Sequence, residues 1–161
     1  FQIFKKRITG KTRRISHHEG EIKISGYIPL FKEWLIKMSN ESAMMISQEL
    51  FDNELYRLGG ADLLRGFNED AILASRYSVL TAELRYRLAR GSNVFAFWDG
   101  AYYRKHTHND FIEDFPFGFG AGFQIQTNSG IFSLSYALGR QFDNPIQFQS
   151  GKIHIAYENI F

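Results

Sequence analysis

The residues with the clearest chemical potential in this 161-residue chain surround one arginine. Leu64, Arg65, Gly66 and Phe67 are consecutive, and they lie within residues 47–74, which lack the alternation seen on either side. Connections longer than about 12–15 residues are usually functional or disordered. Arginine presents a planar fork of donors that suits two-point pairing with carboxylates. The segment therefore predicts an acidic partner elsewhere in the chain.

Two carboxylates are suited to that role. Glu83 and Asp99 fall on the polar faces of the next two alternating segments. We expect the long connection to fold back, to place the Arg65 guanidinium against both acids, and to pack Phe67 on an inward phenylalanine of the second segment. Two alternatives are an ordinary exposed arginine and a pair of acids for hydrolysis. No nucleophile or second motif supports hydrolysis.

The other candidate chemistry is weaker. His106 and His108 could point the same way, but zinc normally needs three or four ligands. The chain has no cysteine, which removes disulfides and thiolate chemistry. Gly118, Gly120 and Gly122 alternate along a strand with no helix after them, which argues against a phosphate loop. We expect no enzyme activity, metal or cofactor, and expect these glycines to leave room for the connection.

The elements that must position these residues are strands. Aromatic residues make up 16% of the chain and prolines number only 3, a mixture that favours strands. Hydrophobic and polar residues alternate through seven segments that follow a shorter initial one. We expect these strands at residues 1–8, 21–30, 34–46, 80–88, 93–103, 117–126, 132–138 and 153–161.

Short and long connections alternate along the chain. The expected short ones lie near Pro29, Gly91 and Ser129, and the long ones at 9–18, 47–74, 104–116 and 139–150. Outer-membrane barrels have short periplasmic turns, longer external loops and strands of about 9–11 residues with one apolar face. The alternative is a soluble antiparallel sheet with one solvated face. A net charge of +2 predicts no nucleic-acid partner, and the basic cluster at residues 5–14 is expected to be a solvated loop.

Seven or eight strands of this kind predict an incomplete barrel. The sequence opens at Phe1 inside a strand-like phrase, without a starting Met or a signal peptide. An open sheet edge in lipid leaves unpaired backbone groups, each costing several kcal/mol. We therefore expect further strands from upstream sequence or from another chain.

Several phrases in order resemble the BamA/TamA-like outer-membrane assembly and translocation proteins, also called the bacterial surface antigen superfamily. The matching phrases lie at residues 58–60, 64–67, 82–84, 97–100 and 117–122, followed by the closing strand to Phe161. The C-terminal half is similar to members from Bacteroidetes. The resemblance implies an all-β, antiparallel transmembrane β-barrel of 16 strands. Residues 1–161 would supply the C-terminal seven or eight, with residues 47–74 folded inward.

The resemblance also implies location and function. The protein would lie in the bacterial outer membrane, with POTRA domains upstream and a weak lateral seam at the closing strand, through Ile153, Ile155, Tyr157 and Phe161. It would insert β-barrel proteins or translocate polypeptides. Its partners would be the lipid bilayer, the remaining strands, nascent outer-membrane or secreted polypeptides, and accessory lipoproteins. The alternatives are a passive porin-like channel and a secretion pore or membrane anchor for a fused or dedicated passenger.

Overall fold

The computed structural model describes residues 2–8, 11–47, 50–89, 91–107 and 110–159, with side chains from residue 18 onward. The described chain is all-β, apart from short 3-10 turns at Asp52–Glu54 and Phe148–Ser150. The strands are β1 (Gln2–Ile8), β2 (Lys11–Pro29), β3 (Trp34–Ser47), β4 (Tyr56–Leu58), β5 (Ile72–Ala74), β6 (Arg76–Ala89), β7 (Ser92–His106), β8 (Phe111–Asp114), β9 (Phe117–Gln126), β10 (Gly130–Arg140) and β11 (Lys152–Asn159). Within the described ranges, no helix is long and apolar enough to cross a membrane.

Nine strands form one antiparallel sheet. Its order is β1-β2-β3-β6-β7-β9-β10-β11, and β8 pairs with β7. β4 and β5 form a separate two-stranded ladder inside the long connection. The predicted all-β antiparallel architecture is confirmed. The prediction was possible because a period of two in the sequence identifies segments that can pair as strands with one face turned inward.

The two faces of the sheet differ in chemistry. The outer face, as we call it, exposes large apolar side chains across the strands: Leu84 is 42%, Trp98 44% and Ile155 63% exposed. The inner face carries Glu83 and Asp99 at the alternate positions of β6 and β7. A wide exposed apolar face opposite a polar one is the pattern of strands that meet acyl chains on one side.

The protein core lies between the inner face and the long connection. Leu58, Leu64 and Ile72 of the connection are almost fully buried. They belong to one apolar cluster with Val79 of β6 and Tyr103 of β7. Full burial of a leucine side chain contributes about 1.5–3 kcal/mol, so apolar packing fixes the connection on the sheet together with its charged contacts.

Two of the expected loops are strands instead. Residues 11–18 belong to β2, and residues 11–17 pair with β1, with Lys5 opposite Arg14 and Lys6 opposite Arg13. The prediction of a solvated loop at residues 5–14 was therefore wrong. Alternation reveals a strand only where one face is buried, and a hairpin carrying polar residues on both faces lacks that pattern.

The expected polar loop at 104–116 was also wrong over most of its length. β7 continues to His106, and β8 pairs with its end. Arg104 and Glu113 are register partners, and an ion pair of 2.8 Å joins them across the two strands. Opposite charges at paired positions stabilise a pair of strands. In the sequence, however, a charged residue whose partner is unknown favours a loop prediction. His108 and Phe161 lie outside the described residues.

Candidate functional site

The acidic half of the candidate site lies on two neighbouring strands. Glu83 is on β6 and Asp99 on β7, where the register pairs Glu83 with Phe97 and Asp99 with Thr81. The two carboxylates are therefore diagonal neighbours on the inner face. They are only 3% and 1% exposed, respectively. Carboxylates this buried need hydrogen-bonded counter-charges.

Arg65 supplies the main counter-charge. Its Nε donates to Asp99 Oδ2 at 2.7 Å and its Nη2 to Asp99 Oδ1 at 2.7 Å, a two-point pairing. Its Nη1 donates to Glu83 Oε1 at 2.8 Å. The backbone N–H of Arg65 also donates to Asp99 Oδ2, at 3.1 Å. The structure thus brings Arg65 together with both acids named from the sequence.

The guanidinium also stacks on an aromatic ring. Its central carbon lies 3.5 Å from the centroid of the Phe97 ring. The aromatic contact expected for Phe67 is therefore made by Arg65. Phe67 packs against the apolar cluster that contains Leu64. A planar cation has a face for stacking and an edge for carboxylates, so it satisfies both at once.

Two further cations, which the sequence analysis missed, join the network at Glu83. Arg85 Nε donates to Glu83 Oε2 at 2.7 Å, and Lys37 Nζ lies 3.9 Å from Glu83 Oε1. With Arg65 there are three cations against the two acids Glu83 and Asp99, an excess of one positive charge. Lys37 is the register partner of Glu83 on β3, so the alternation combined with the pairing could have identified it.

Glycines allow the connection to approach the sheet closely. Gly66 has φ +95°, which favours glycine. A Cβ on Gly66 would lie 2.7 Å from the carbonyl carbon of Leu138 on β10. A Cβ on Gly118 would overlap the carbonyl oxygen of Arg65, and one on Gly139 would lie 2.5 Å from the carbonyl oxygen of Gly66. The expected room at Gly118 is thus occupied by the connection, and Gly139 is a further position that sequence reasoning missed.

The tip of the connection also contacts the last described strand. The N–H of Gly66 donates to His154 Nε2 on β11 at 3.0 Å. An acceptor Nε2 is unprotonated, so a neutral ring carries its proton on Nδ1. Sequence reasoning missed His154, because the two residues are 88 positions apart. One hydrogen bond therefore joins the Arg65 motif to the strand expected to form the seam.

The expected seam residues lie on the outer face of β11. Ile153, Ile155 and Tyr157 alternate with His154 and are largely exposed. Among the described residues, β11 pairs with β10 alone. Phe161, the fourth residue expected at the seam, lies outside the described residues.

Between the charged network and the inner faces of β9 to β11 lies a cavity of about 430 Å³. Its walls include Lys37, Arg85, Gln124 and Ser133. Within the described ranges, no three His, Asp or Glu side chains are grouped so that they could hold a metal ion. The arrangement holds a loop by charge and shape.

An antiparallel sheet with one exposed apolar face, and a charged loop held on the other, is typical of part of a transmembrane β-barrel of the bacterial outer membrane. Comparison with protein families identifies it further: the family model of the Omp85 superfamily domain matches residues 8–153. The chain belongs to the Omp85 superfamily, so the predicted BamA/TamA-like membership is confirmed. Neither the curated proteins nor the solved structures gave a match to this chain.

Proposed function

We propose that this chain is the C-terminal part of a barrel that inserts β-barrel proteins into the outer membrane or translocates polypeptides across it. The observation that carries the proposal is the link from the docked Arg65 motif, through Gly66 and His154, to β11, the strand expected at the seam. The superfamily is one of non-enzymatic transporters and insertases, which is consistent with a site that holds a loop.

The proposed mechanism uses the edge of β11. Unpaired N–H and C=O groups at a sheet edge can template an incoming strand by β-augmentation. In lipid such an edge is costly, so a substrate strand that pairs with it gains backbone hydrogen bonds. The outward side chains Ile153, Ile155 and Tyr157 would contact acyl chains or the outer face of the incoming strand. The first strand of a 16-stranded barrel would close the seam when no substrate is present.

The docked connection has a separate role in this proposal. Residues 50–74 lie across the inner face, held by Asp99 and Glu83. They would obstruct the barrel interior and keep its wall in one shape while the seam opens. Upstream POTRA domains and accessory lipoproteins would deliver polypeptides to the seam.

Photo-crosslinking in cells tests the proposal. A crosslinking amino acid replaces Tyr157 on β11 in the full-length protein, and the matched control replaces Tyr136 on β10, since both tyrosines are outward-facing. We expect newly made outer-membrane or secreted polypeptides to crosslink at position 157 and much less at position 136. Depletion of the protein should lower the levels of those same polypeptides.

The alternatives give different results. A passive porin-like channel would conduct ions, and its depletion would leave other barrel proteins unchanged. A dedicated secretion pore or anchor would crosslink to one passenger only. Equal crosslinking at positions 157 and 136, together with unchanged barrel-protein levels on depletion, would overturn the proposed function.

A further inference from the structure

On the outer face of β3 and β6, a short polar row interrupts the apolar side chains. Ile36 and Leu84 lie on one side of it, and Met44 and Ile46 lie between it and the long connection. Asn40 Nδ2 donates to Ser78 Oγ at 3.1 Å, and Ser42 Oγ donates to Ser78 Oγ at 2.8 Å. Long connections lie on the external side of outer-membrane barrels. The row therefore lies towards the outer leaflet.

Beside this row is an apolar groove on the outer face. It has a volume of about 390 Å³. Its lining includes Gly20, Glu21, Ile22, Ser78, Arg76 and Tyr102. Gly20 leaves open space at one side of the groove, because a Cβ there would meet no atom within 4 Å.

A cation with no ion pair among the described residues lies at the groove. Arg76, on β6, is partly buried, and its Nε is buried without a hydrogen-bond partner. Among the described residues it forms no ion pair, whereas its register partner Arg104 pairs with Glu113 at 2.8 Å. Glu21 alternates to the opposite face of β2, in register with Ala43 of β3. On the outer face, two arginines thus lie near one carboxylate at the end nearest the long connections.

We propose that this groove binds a phosphorylated lipid of the outer leaflet, with its phosphate on Arg76 and one acyl chain along the gap at Gly20. The apolar lining is continuous with the face that meets acyl chains, which favours a lipid over a soluble anion. Guanidinium groups bind phosphate through paired, charge-assisted hydrogen bonds. Basic residues at the membrane interface commonly recognise anionic head groups.

Lipid retention by the full-length protein tests this inference. The protein is placed in phosphatidylcholine nanodiscs that contain a small fraction of diphosphorylated lipid A, and retained lipids are counted by native mass spectrometry. We expect one lipid A to be retained, and Arg76→Gln to lower its retention roughly tenfold, because the variant loses the charge-assisted hydrogen bonds to phosphate; tenfold corresponds to about 1.4 kcal/mol. The wild type should also retain dephosphorylated lipid A poorly. That retention should be no higher than the retention of diphosphorylated lipid A by Arg76→Gln.

A second variant tests the groove independently of the charge. Gly20→Leu fills the gap and leaves Arg76 in place, so retention should fall. Gly26→Leu is the matched control, because Gly26 lies on the same strand and face and its Cβ would also meet nothing within 4 Å. It should retain lipid A as the wild type does. Heat-modified gel mobility verifies that each variant is folded.

Three outcomes would overturn the proposal. Equal retention by wild type, Arg76→Gln and Gly20→Leu would mean that only non-specific boundary lipid is present. Equal retention of phosphorylated and dephosphorylated lipid would remove the role of Arg76. A dimer that Gly20→Leu dissociates would identify a second copy as the occupant. None of these measurements requires insertion or translocation activity, so this proposal and the proposed function can fail separately.

Discussion

The contact between Arg65 and the two acids makes the sharpest prediction. Arg65→Ala removes three side-chain hydrogen bonds, two to Asp99 and one to Glu83. Glu83 keeps its contacts with Arg85 and Lys37. Asp99 keeps, among the described residues, only the backbone N–H at position 65. Most of the cost therefore arises at Asp99, which is 1% exposed.

The expected size follows from that burial. Breaking a buried ion pair by removing one partner costs about 3–5 kcal/mol. At about 1.4 kcal/mol per factor of ten, the fraction of molecules with the connection detached from the sheet should rise roughly a hundred- to several-thousand-fold. The impaired anchoring should also reduce assembly activity in cells.

Hydrogen–deuterium exchange of the purified full-length protein measures this directly. Amides in residues 55–74 exchange through local opening, so their rates follow the open population. Arg65→Ala should speed their exchange up to the limit set by unprotected amides. Arg57→Ala is the control, because Arg57 is an exposed arginine of the same connection. Arg140→Ala should also have little effect, since the ion pair that Arg140 forms with Asp143, at 3.4 Å, is exposed.

A double variant checks the reasoning about Asp99. Arg65→Ala combined with Asp99→Ala removes the orphaned carboxylate, so part of the protection should return. Unchanged exchange in Arg65→Ala, or an equal increase in Arg57→Ala, would refute the assignment of Arg65 as the anchor. No recovery in the double variant would show that the cost does not come from a buried unpaired acid.

Two further predictions concern the same contacts. Gly118→Val should speed exchange of residues 55–74 with every charge intact, because its side chain would overlap the carbonyl oxygen of Arg65; unchanged exchange would refute the close approach. His154→Phe should speed exchange of the Gly66 amide roughly 5- to 150-fold, since an unsatisfied buried donor costs about 1–3 kcal/mol. His154→Gln, which retains an acceptor, should restore most of the protection, and equal exchange in both His154 variants would contradict the role of the hydrogen bond.

The sequence alone was enough for the parts of the fold that depend on alternation. A period of two assigns each side chain to a face, so Glu83 and Asp99 could be placed on one face before any coordinates. The arginine in a long connection then had two buried acids as candidate partners. The same criterion failed at residues 11–18 and at Phe111–Asp114. Those two segments lack the alternation of apolar and polar residues from which a strand can be predicted.

Only the tertiary structure decided which residues complete the site. Lys37, Arg85, Gly139 and His154 have the same polar or small character as many other inner-face residues. Their roles depend on strand register and on where the tip of the connection comes to rest. A hydrogen bond across 88 positions of sequence, from Gly66 to His154, results from the packing of the whole sheet. Local pattern encodes the face a residue occupies, whereas its partner is set by the summed pairing of strands far apart in the chain.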